Sequence, residues 1–540
     1  MLLEVLLKLI ILIQVLIILN IKKLKYKGEF NVKKNEIKIG VILSYIIVGL
    51  DIIIGLVYTP ILIRMLGQSE YGLYSLIASI ISYLALFDLG FGNAIIVYTA
   101  RYKAKGEKEK EQKLHGMFLI IYTIIGIIAG IVGFVLFLNV NNMFGNTMSV
   151  EELETAKSLM LILMLNLVIT FPFSVFSSII TAYEKFVFSK LLNIFRIVMV
   201  PVIMIPLLLS GHKSFSLVIV LTIVNICVLL TNAFFCLKKL KIKLKFGKID
   251  FKLLKEIFSY SFYIFLNTII DKANWSIDQF ILGSTSGTFA VSVYAVAVQL
   301  NSMYLNFSTS MSSVLLPKIT KMEANKASDK EFTDVFIKTG RLQFLVMGLI
   351  MSGFIIFGQQ FINIWAGETY SSAFIIGCIL MIPVTIPLIQ NVGQSILQAK
   401  NKYKFRTLVF FGIAIVNVLI SIPLAQNFGG IGAAIGTAVS LIIGQGIIIN
   451  IYYHKKIHIN IIQFWKNILK MAIPVLPVAI IGFVANYYLV STSIAILVLK
   501  IAFYSMIYFI AVWVFAMNDY EKDIVRIPLK KFKGKILKKN

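Results

Sequence analysis

Residues 114–138 read "LHGMFLIIYTIIGIIAGIVGFVLFL" and contain no Asp, Glu, Lys or Arg. An α-helix needs about 20 apolar residues to cross the hydrocarbon core of a bilayer, so this stretch is long enough to span it. Apolar runs of similar length recur along the chain, whereas an outer-membrane barrel consists of alternating segments of about 10 residues. The sequence therefore predicts an all-α polytopic membrane protein.

Composition supports this prediction. The 540 residues are 59% hydrophobic and 14% charged, with a mean hydropathy of +0.88, whereas soluble domains carry roughly 25% charged residues. About fourteen transmembrane helices are predicted, at residues 37–63, 71–100, 114–138, 158–182, 186–209, 214–236, 257–283, 288–316, 335–357, 372–398, 405–425, 430–453, 471–490 and 494–516.

The positive charge alternates between the two ends of these spans. The net charge is +27, and 45 of the 52 Lys and Arg residues lie in every second connection or in the terminal segments, while the intervening connections hold only Arg64, Lys157 and Lys213. Short basic loops resist translocation, so the basic side, including the C-terminus, is expected to face the cytoplasm. The charge thus indicates topology and a lipid bilayer partner, and no nucleic acid is expected.

The chain also repeats weakly at an offset of 216 or 217 residues. "KKLKYKGEF" (22–30) recurs as "KKLKIKLKF" (238–246), and "RMLGQSEYGLY" (64–74) aligns with "FILGSTSGTFA" (280–290). Six spans return the chain to its starting side, so the two halves have the same orientation. Parallel repeats of this kind form transporters with a substrate site between the halves.

Six parts follow from this repeat. They are an N-terminal apolar helix and basic segment (1–36), an N-lobe of helices 1–6 (37–236), a basic cytoplasmic linker (237–256), a C-lobe of helices 7–12 (257–454), a loop with helices 13–14 (455–516) and a basic cytoplasmic tail (517–540). For residues 1–21, an interfacial helix and a misassigned translation start remain alternatives to an additional helix.

Polar residues inside the spans are the candidate functional groups. Asn267, Asp271, Asn274 and Asp278 recur at steps of three and four residues, so they share one face of a helix, and Lys272 lies about 100° from that face. An ionised side chain at bilayer depth costs at least about 2.5–3.5 kcal/mol and normally faces a cavity or another charge. A wet cavity is the favoured interpretation, and interhelical hydrogen bonding is the alternative.

Other candidates for a substrate cavity or ion coupling lie on neighbouring spans. They are Gln299 and Asn306 in the eighth span, and Asp51, Arg64, Asp88 and Arg196 in the first half. The chain has no G-x-x-x-x-G-K phosphate loop, so transport is expected to run downhill or on a gradient of H⁺ or Na⁺. No metal, cofactor or catalytic residue is predicted.

Four stretches of the sequence resemble a known family. The first span ends in Pro60, Arg64, Leu66, Gly67 and "YGLY" (71–74), and "LFDLGFGNA" (86–94) follows. This text, with "DQFILGSTSGTFAVSVYAVAVQL" (278–300) and "LLPKITK" (315–321), resembles Wzx-type polysaccharide flippases of the multidrug/oligosaccharidyl-lipid/polysaccharide exporter superfamily. The resemblance implies two lobes in a V-shaped, MATE-like arrangement around a cationic cavity.

The resemblance also implies a function. Such a protein moves undecaprenyl-pyrophosphate-linked oligosaccharides across the cytoplasmic membrane for lipopolysaccharide or capsule synthesis, with polysaccharide polymerase and glycosyltransferases as functional partners. A multidrug or metabolite cation antiporter and a lipid II flippase of the same superfamily are the alternatives. A membrane polymerase or glycosyltransferase is disfavoured, because such enzymes need a large outer domain and the longest outer connection here is 139–157.

Overall fold

The computed structural model describes residues 29–247, 250–312, 316–489, 493–524 and 526, and every regular element in these ranges is helical. The prediction of a helix at residues 1–21 lies outside the described residues, as do positions 527–540 of the predicted basic tail. The chain forms two compact units that divide between Lys272 and Ala273.

The first unit is built from eight described helices and the start of a ninth. They are α1 (Glu29–Leu66), α2 (Gln68–Leu84), α3 (Phe91–Ala104), α4 (Lys108–Leu138), α5 (Val140–Phe144), α6 (Val150–Ala182), α7 (Phe186–Leu209) and α8 (Ser214–Phe234). Helix α9 (Phe251–Thr285) crosses the division between the units.

The second unit continues from α9 with ten further described helices. They are α10 (Gly287–Ser312), α11 (Leu316–Ala324), α12 (Asp329–Trp365), α13 (Ser372–Ile389), α14 (Asn391–Ala399), α15 (Tyr403–Leu441), α16 (Ile449–Lys456), α17 (Ile461–Ala472), α18 (Val475–Tyr488) and α19 (Ile494–Phe515). One turn of π-helix, Ile442–Ile448, joins α15 to α16.

Twelve stretches within the described residues are long and apolar enough to cross a membrane. The chain is therefore a multi-pass helical membrane protein, as the sequence predicts. One of the twelve, Tyr403–Lys456, contains two predicted spans, which meet at the non-helical Gly429 (φ 56°, ψ −135°). The predicted span 257–283 lies in α9, which is not among the twelve, so the count of fourteen stays a prediction.

The two units share one feature of their packing: the fourth long span contacts the second and third spans. In the first unit, the fourth long span, α6, contacts α2, α3 and α4, and in the second unit the fourth span, α13, contacts α10 and α12. Small residues allow the closest approach: a Cβ added at Gly126 on α4 would lie 2.9 Å from the Val168 carbonyl oxygen on α6. Glycines at helix interfaces act in this way where lipid supplies no hydrophobic drive for association.

The helix pair at the end of the second unit is held against α12. Val478 on α18 and Tyr508 on α19 are buried in one cluster with Ile356 and Phe357 of α12. In the same pair, the Lys500 ammonium donates to the Gln360 side chain (3.2 Å). Lys500 therefore connects α19 to α12.

A buried ion pair fixes the segment that follows α19. Arg341 on α12 is 5% exposed and Glu521 is 1% exposed. The Arg341 Nε and Nη2 atoms donate to the two Glu521 carboxylate oxygens at 2.5 and 2.8 Å, and Nη2 also donates to the Ala516 carbonyl at 2.8 Å. This bidentate geometry is the strongest arrangement of an arginine and a carboxylate.

Replacement of Glu521 by alanine is expected to destabilise the second unit by about 3–5 kcal/mol, because it leaves the Arg341 charge buried and uncompensated. Thermal unfolding of the purified protein in detergent measures the effect. Asp329→Asn is the control: it breaks the more exposed Lys400–Asp329 pair and is expected to cost less than about 1 kcal/mol. Equal shifts in the two variants would contradict the assignment of a special role to the buried pair.

Candidate functional site

Asp278 is the centre of a buried polar cluster in the second unit. It lies near the end of α9 and is 1% exposed. The Tyr294 hydroxyl on α10 donates to Asp278 Oδ2 at 2.5 Å, and the Thr437 hydroxyl on α15 donates to the same oxygen at 2.7 Å. Asp278 Oδ1 has no hydrogen-bond partner among the residues that the structure describes. One half of this carboxylate is thus buried without compensation.

Asn417 and Ser421 of α15 complete the cluster. The Ser421 hydroxyl donates to Asn417 Oδ1 at 2.8 Å, and the Thr437 hydroxyl lies 3.1 Å from the same oxygen. All three side chains are no more than 1% exposed. Each hydroxyl has a single proton to donate, so Thr437 cannot serve Asp278 and Asn417 at once. Asn417 Nδ2 is a buried donor without a hydrogen-bond partner among the described residues, so the cluster holds one unpartnered donor beside the unpartnered acceptor Asp278 Oδ1.

A glycine-rich hairpin brings these side chains together. Asn417 and Ser421 precede the break at Gly429, Thr437 follows it, and the sequence between reads "GGIGAAIG" (429–436). A Cβ at Gly436 would collide with the Ser421 hydroxyl, and a Cβ at Gly432 would collide with the Leu424 carbonyl. The two arms of α15 can therefore approach closely only because these positions lack side chains.

This arrangement can neutralise a carboxylate by binding a cation. Asp278 forms no ion pair with any Lys, Arg or His that the structure describes, and isolated buried charge is costly. A proton on Asp278 would remove the charge, and a small hard cation would find oxygen ligands of the kind it prefers. No group of three or more His, Cys, Asp or Glu residues suited to a metal ion occurs among the described residues.

Asp51 and Arg196 come together in the first unit. They lie on α1 and α7, whose shared core contains Leu50 and Val198. The Arg196 charge acts on Asp51, and the guanidinium also donates to Asn193 Oδ1 at 2.9 Å. Both side chains are exposed on the surface of the unit. The pair can stabilise the α1–α7 contact or present a charge to a ligand.

Asp88 lies at a break in the second predicted span. A 3₁₀ turn, Ala85–Asp88, ends α2, and Leu89 (φ 52°) and Gly90 (φ 72°) in the left-handed region precede α3. The Tyr122 hydroxyl on α4 donates to Asp88 Oδ1 at 2.5 Å. This half-buried carboxylate therefore fastens an interruption of the helix to α4.

The remaining predicted site residues are dispersed or lie outside the description. Arg64 and Asn306 are exposed, and Lys272 and Gln299 are half-buried. The side chains of Asn267, Asp271 and Asn274 lie outside the described residues. Of the four residues on the predicted polar face of α9, the structure describes the side chain of Asp278, which is buried. The roles predicted for the whole set of site residues stay predictions.

Sequence reasoning missed the partners of Asp278. Tyr294, Asn417, Ser421 and Thr437 were not among the predicted site residues. A signal existed: Asn417 and Ser421 are four residues apart within a long apolar run, so they share a helix face. Thr437 carries no such local signal, because it reaches the cluster through the hairpin.

The chain resembles known transport proteins in sequence. A family model described as "Polysaccharide biosynthesis protein" matches residues 37–323. A Shigella flexneri protein assigned as an O-antigen transporter is 21% identical over 396 residues, which are 71% of this chain and 89% of that protein. A Haloferax volcanii protein assigned as the low-salt glycan biosynthesis flippase Agl15 is 24% identical over 204 residues, 37% of this chain and 42% of that protein.

Solved structures share the fold. The lipid II flippase MurJ in its inward closed conformation superposes with a TM-score of 0.70 and 18% identity, covering 90% of this chain and 99% of that chain. An inward-facing multidrug resistance MATE family transporter of the MOP superfamily gives a TM-score of 0.61 and 14% identity, covering 76% and 96%. At these identities the likeness concerns the fold alone, and it confirms the predicted fold class.

Removal of the Tyr294 hydroxyl tests the Asp278 cluster. Tyr294→Phe is expected to lower the free energy of unfolding by about 1.5–3 kcal/mol, because a hydrogen bond to a carboxylate is lost and the acceptor stays buried. Thermal unfolding in detergent measures the change. The matched control is Tyr58→Phe, whose hydroxyl has no partner among the described residues, so its loss removes no hydrogen bond and should not lower the stability. Similar stability of the two variants would refute the role of this contact.

Proposed function

The chain belongs to the polysaccharide biosynthesis protein family, and we propose on this premise that it moves a lipid-linked oligosaccharide between the leaflets of the cytoplasmic membrane. The observation that carries the proposal is the family match over residues 37–323. That range includes the motifs at 60–74 and 86–94 and runs on through 278–300. The names of the Shigella and Haloferax relatives support the same class of substrate.

The substrate that we propose is an undecaprenyl-pyrophosphate-linked repeat unit, flipped from the cytoplasmic to the outer leaflet for surface polysaccharide synthesis. Cations suit a pyrophosphate because they form charge-assisted hydrogen bonds to its oxygens. Arg64 and Arg196, both exposed, are the candidates in the first unit, and Lys272 is half-buried on α9. Polymerase and glycosyltransferases would consume and supply this substrate, and the protein itself would act as a transporter without catalysis.

The Asp278 cluster is the proposed site of ion coupling. A buried carboxylate without a described cationic partner favours the bound state of H⁺ or Na⁺ over the empty state. The two arms of α15 meet at this cluster, so loss of the ion would weaken their contact at Ser421 and Thr437. Ion binding and the packing of the α15 hairpin are therefore linked in this proposal.

Two rival functions within the same fold remain to be distinguished. A lipid II flippase would share the helix pair α18–α19, whereas a multidrug or metabolite antiporter of the twelve-span branch would lack it. Transport assays in vesicles with each substrate class separate the three cases. Movement of lipid II or of organic cations, without movement of lipid-linked oligosaccharide, would overturn the proposal.

Asp271→Asn and Asp278→Asn test the coupling role. Each variant is expected to reduce surface polysaccharide about tenfold or more in cells that depend on this transporter, corresponding to about 1.4 kcal/mol or more, while the protein stays in the membrane at normal abundance. Quantitative immunoblotting of polysaccharide and of membrane fractions measures both. Asp334→Asn, at an exposed position on α12, is the matched control. Normal polysaccharide export in both coupling variants would contradict the proposed ion site.

Reporter fusions test the proposed orientation. Alkaline phosphatase, which is active only outside the cytoplasm, should be inactive when fused after Lys243 or at the C-terminus and active when fused after Lys213, because Lys and Arg concentrate on the cytoplasmic side. A fluorescent protein should give the opposite pattern. Phosphatase activity at the C-terminus would reverse the proposed topology.

A further inference from the structure

A polar cavity of about 480 Å³ lies in the first unit, away from the candidate site. It is walled by the turn between α3 and α4, by Tyr183 just after α6 and by residues 240–243, which follow α8. By the distribution of basic residues, all these connections belong to the proposed cytoplasmic side. Ligand pockets in proteins commonly have volumes of about 300–1,000 Å³, so the cavity is large enough for a small ligand.

Backbone contacts fix the wall of this cavity. The Lys245 backbone N–H donates to the Gln112 carbonyl of α4 at 3.1 Å, and the Ile242 N–H donates to the Cys236 carbonyl at 3.0 Å. Gly116 permits the contact, since a Cβ there would collide with the Lys245 carbonyl. The segment after α8 is thus seated on α4, which holds Lys241 and Lys243 beside the cavity.

The lining is strongly basic. Four lysines contribute, Lys103, Lys108, Lys241 and Lys243, against the single carboxylate of Glu111. Lys108, Lys241 and Lys243 form no ion pair with any residue that the structure describes. The cavity therefore has positive charge that its own carboxylate does not offset.

The single carboxylate of the cavity lining, Glu111, already accepts a hydrogen bond. The Tyr183 hydroxyl donates to Glu111 Oε1 at 2.6 Å, and the Lys103 ammonium lies 3.5 Å from the centre of the Tyr183 ring. Burial and the Glu111 carboxylate raise the pKa of the Tyr183 hydroxyl, which therefore stays protonated and keeps donating. Glu111 keeps its single negative charge, which is held beside Tyr183 and can offset at most one of the four lysines.

His115 supplies a second, independent indication of a ligand. It lines the cavity, is 0% exposed, and shares a 3.0 Å hydrogen bond between its Nε2 and the Thr99 hydroxyl. Its Nδ1 is buried and has no hydrogen-bond partner among the described residues. A buried polar atom without a protein partner is uncommon in a native structure, so His115 Nδ1 is available to bond a water, an ion or a ligand.

We propose that this cavity binds a phosphate group at the cytoplasmic surface, with Lys108, Lys241 and Lys243 as its cationic contacts and His115 at its base. Ammonium groups bind phosphate oxygens through short, charge-assisted hydrogen bonds. The phosphate would come either from an anionic phospholipid of the inner leaflet or from a soluble phosphate compound. Either ligand would join the segment after α8 to the α3–α4 turn.

Thermal unfolding of the full-length protein, at constant ionic strength, separates these sources. In one arm, protein in neutral phosphatidylcholine nanodiscs is titrated with inorganic pyrophosphate, with sodium chloride as reference. In the other arm, nanodiscs contain increasing fractions of phosphatidylglycerol. The test variant is Lys241→Gln/Lys243→Gln, and the matched control is Lys239→Gln/Lys252→Gln, which removes two exposed lysines that do not line the cavity.

Wild-type protein should be stabilised in at least one arm, and the responding arm identifies the source. The apparent affinity for the ligand of the responding arm should fall about tenfold or more in the test variant, because charge-assisted contacts at the site are lost. In the control variant it should fall less than about twofold. All four substitutions are at exposed positions, so folding should be retained. Equal weakening in both variants would indicate general electrostatic attraction, and no stabilisation of the wild type in either arm would be equally fatal to the proposal.

Discussion

A backbone that crosses hydrocarbon has no water to bond, so its N–H and C=O groups must pair within the helix. Every departure from a straight helix therefore needs a compensating interaction. One departure in this chain is accompanied by a polar side chain: the turn at 85–90, inside the second predicted span, carries Asp88. This interruption of the helix and the carboxylate that fastens it to α4 are thus consequences of the same constraint.

Much of the fold could be predicted because the relevant information is local. The apolar run 114–138 marks its own helix, and it falls within α4 as observed. The partners of Asp278 could not be predicted in this way, since Thr437 lies 159 residues further along the chain. Periodicity identifies the face of a helix but carries no information about which neighbour packs against that face. The sequence therefore predicts Asp278 as a candidate residue but not the contacts that it makes.

The predicted internal repeat does not extend to the polar cluster around Asp278. At the offsets of 216 and 217 residues, Asp278 corresponds to Leu62, Asn417 to Val200 and Thr437 to Val220. The polar cluster around Asp278 consequently has apolar counterparts in the first half, although in both units the fourth long span contacts the second and third spans. A duplicated helix bundle can thus carry a polar site in one copy while the other keeps apolar packing at those positions.

The two residues of the buried Arg341–Glu521 pair are synthesised at different times. The two residues are 180 positions apart, and ribosomes add about 5–20 residues per second, so Arg341 waits roughly 9–36 s for its counter-charge. During that interval the nascent second unit holds a guanidinium whose buried partner has not yet been synthesised. A chain that ends before Glu521 therefore keeps the Arg341 cation on α12 without its counter-charge. This missing ion pair distinguishes incomplete from complete protein.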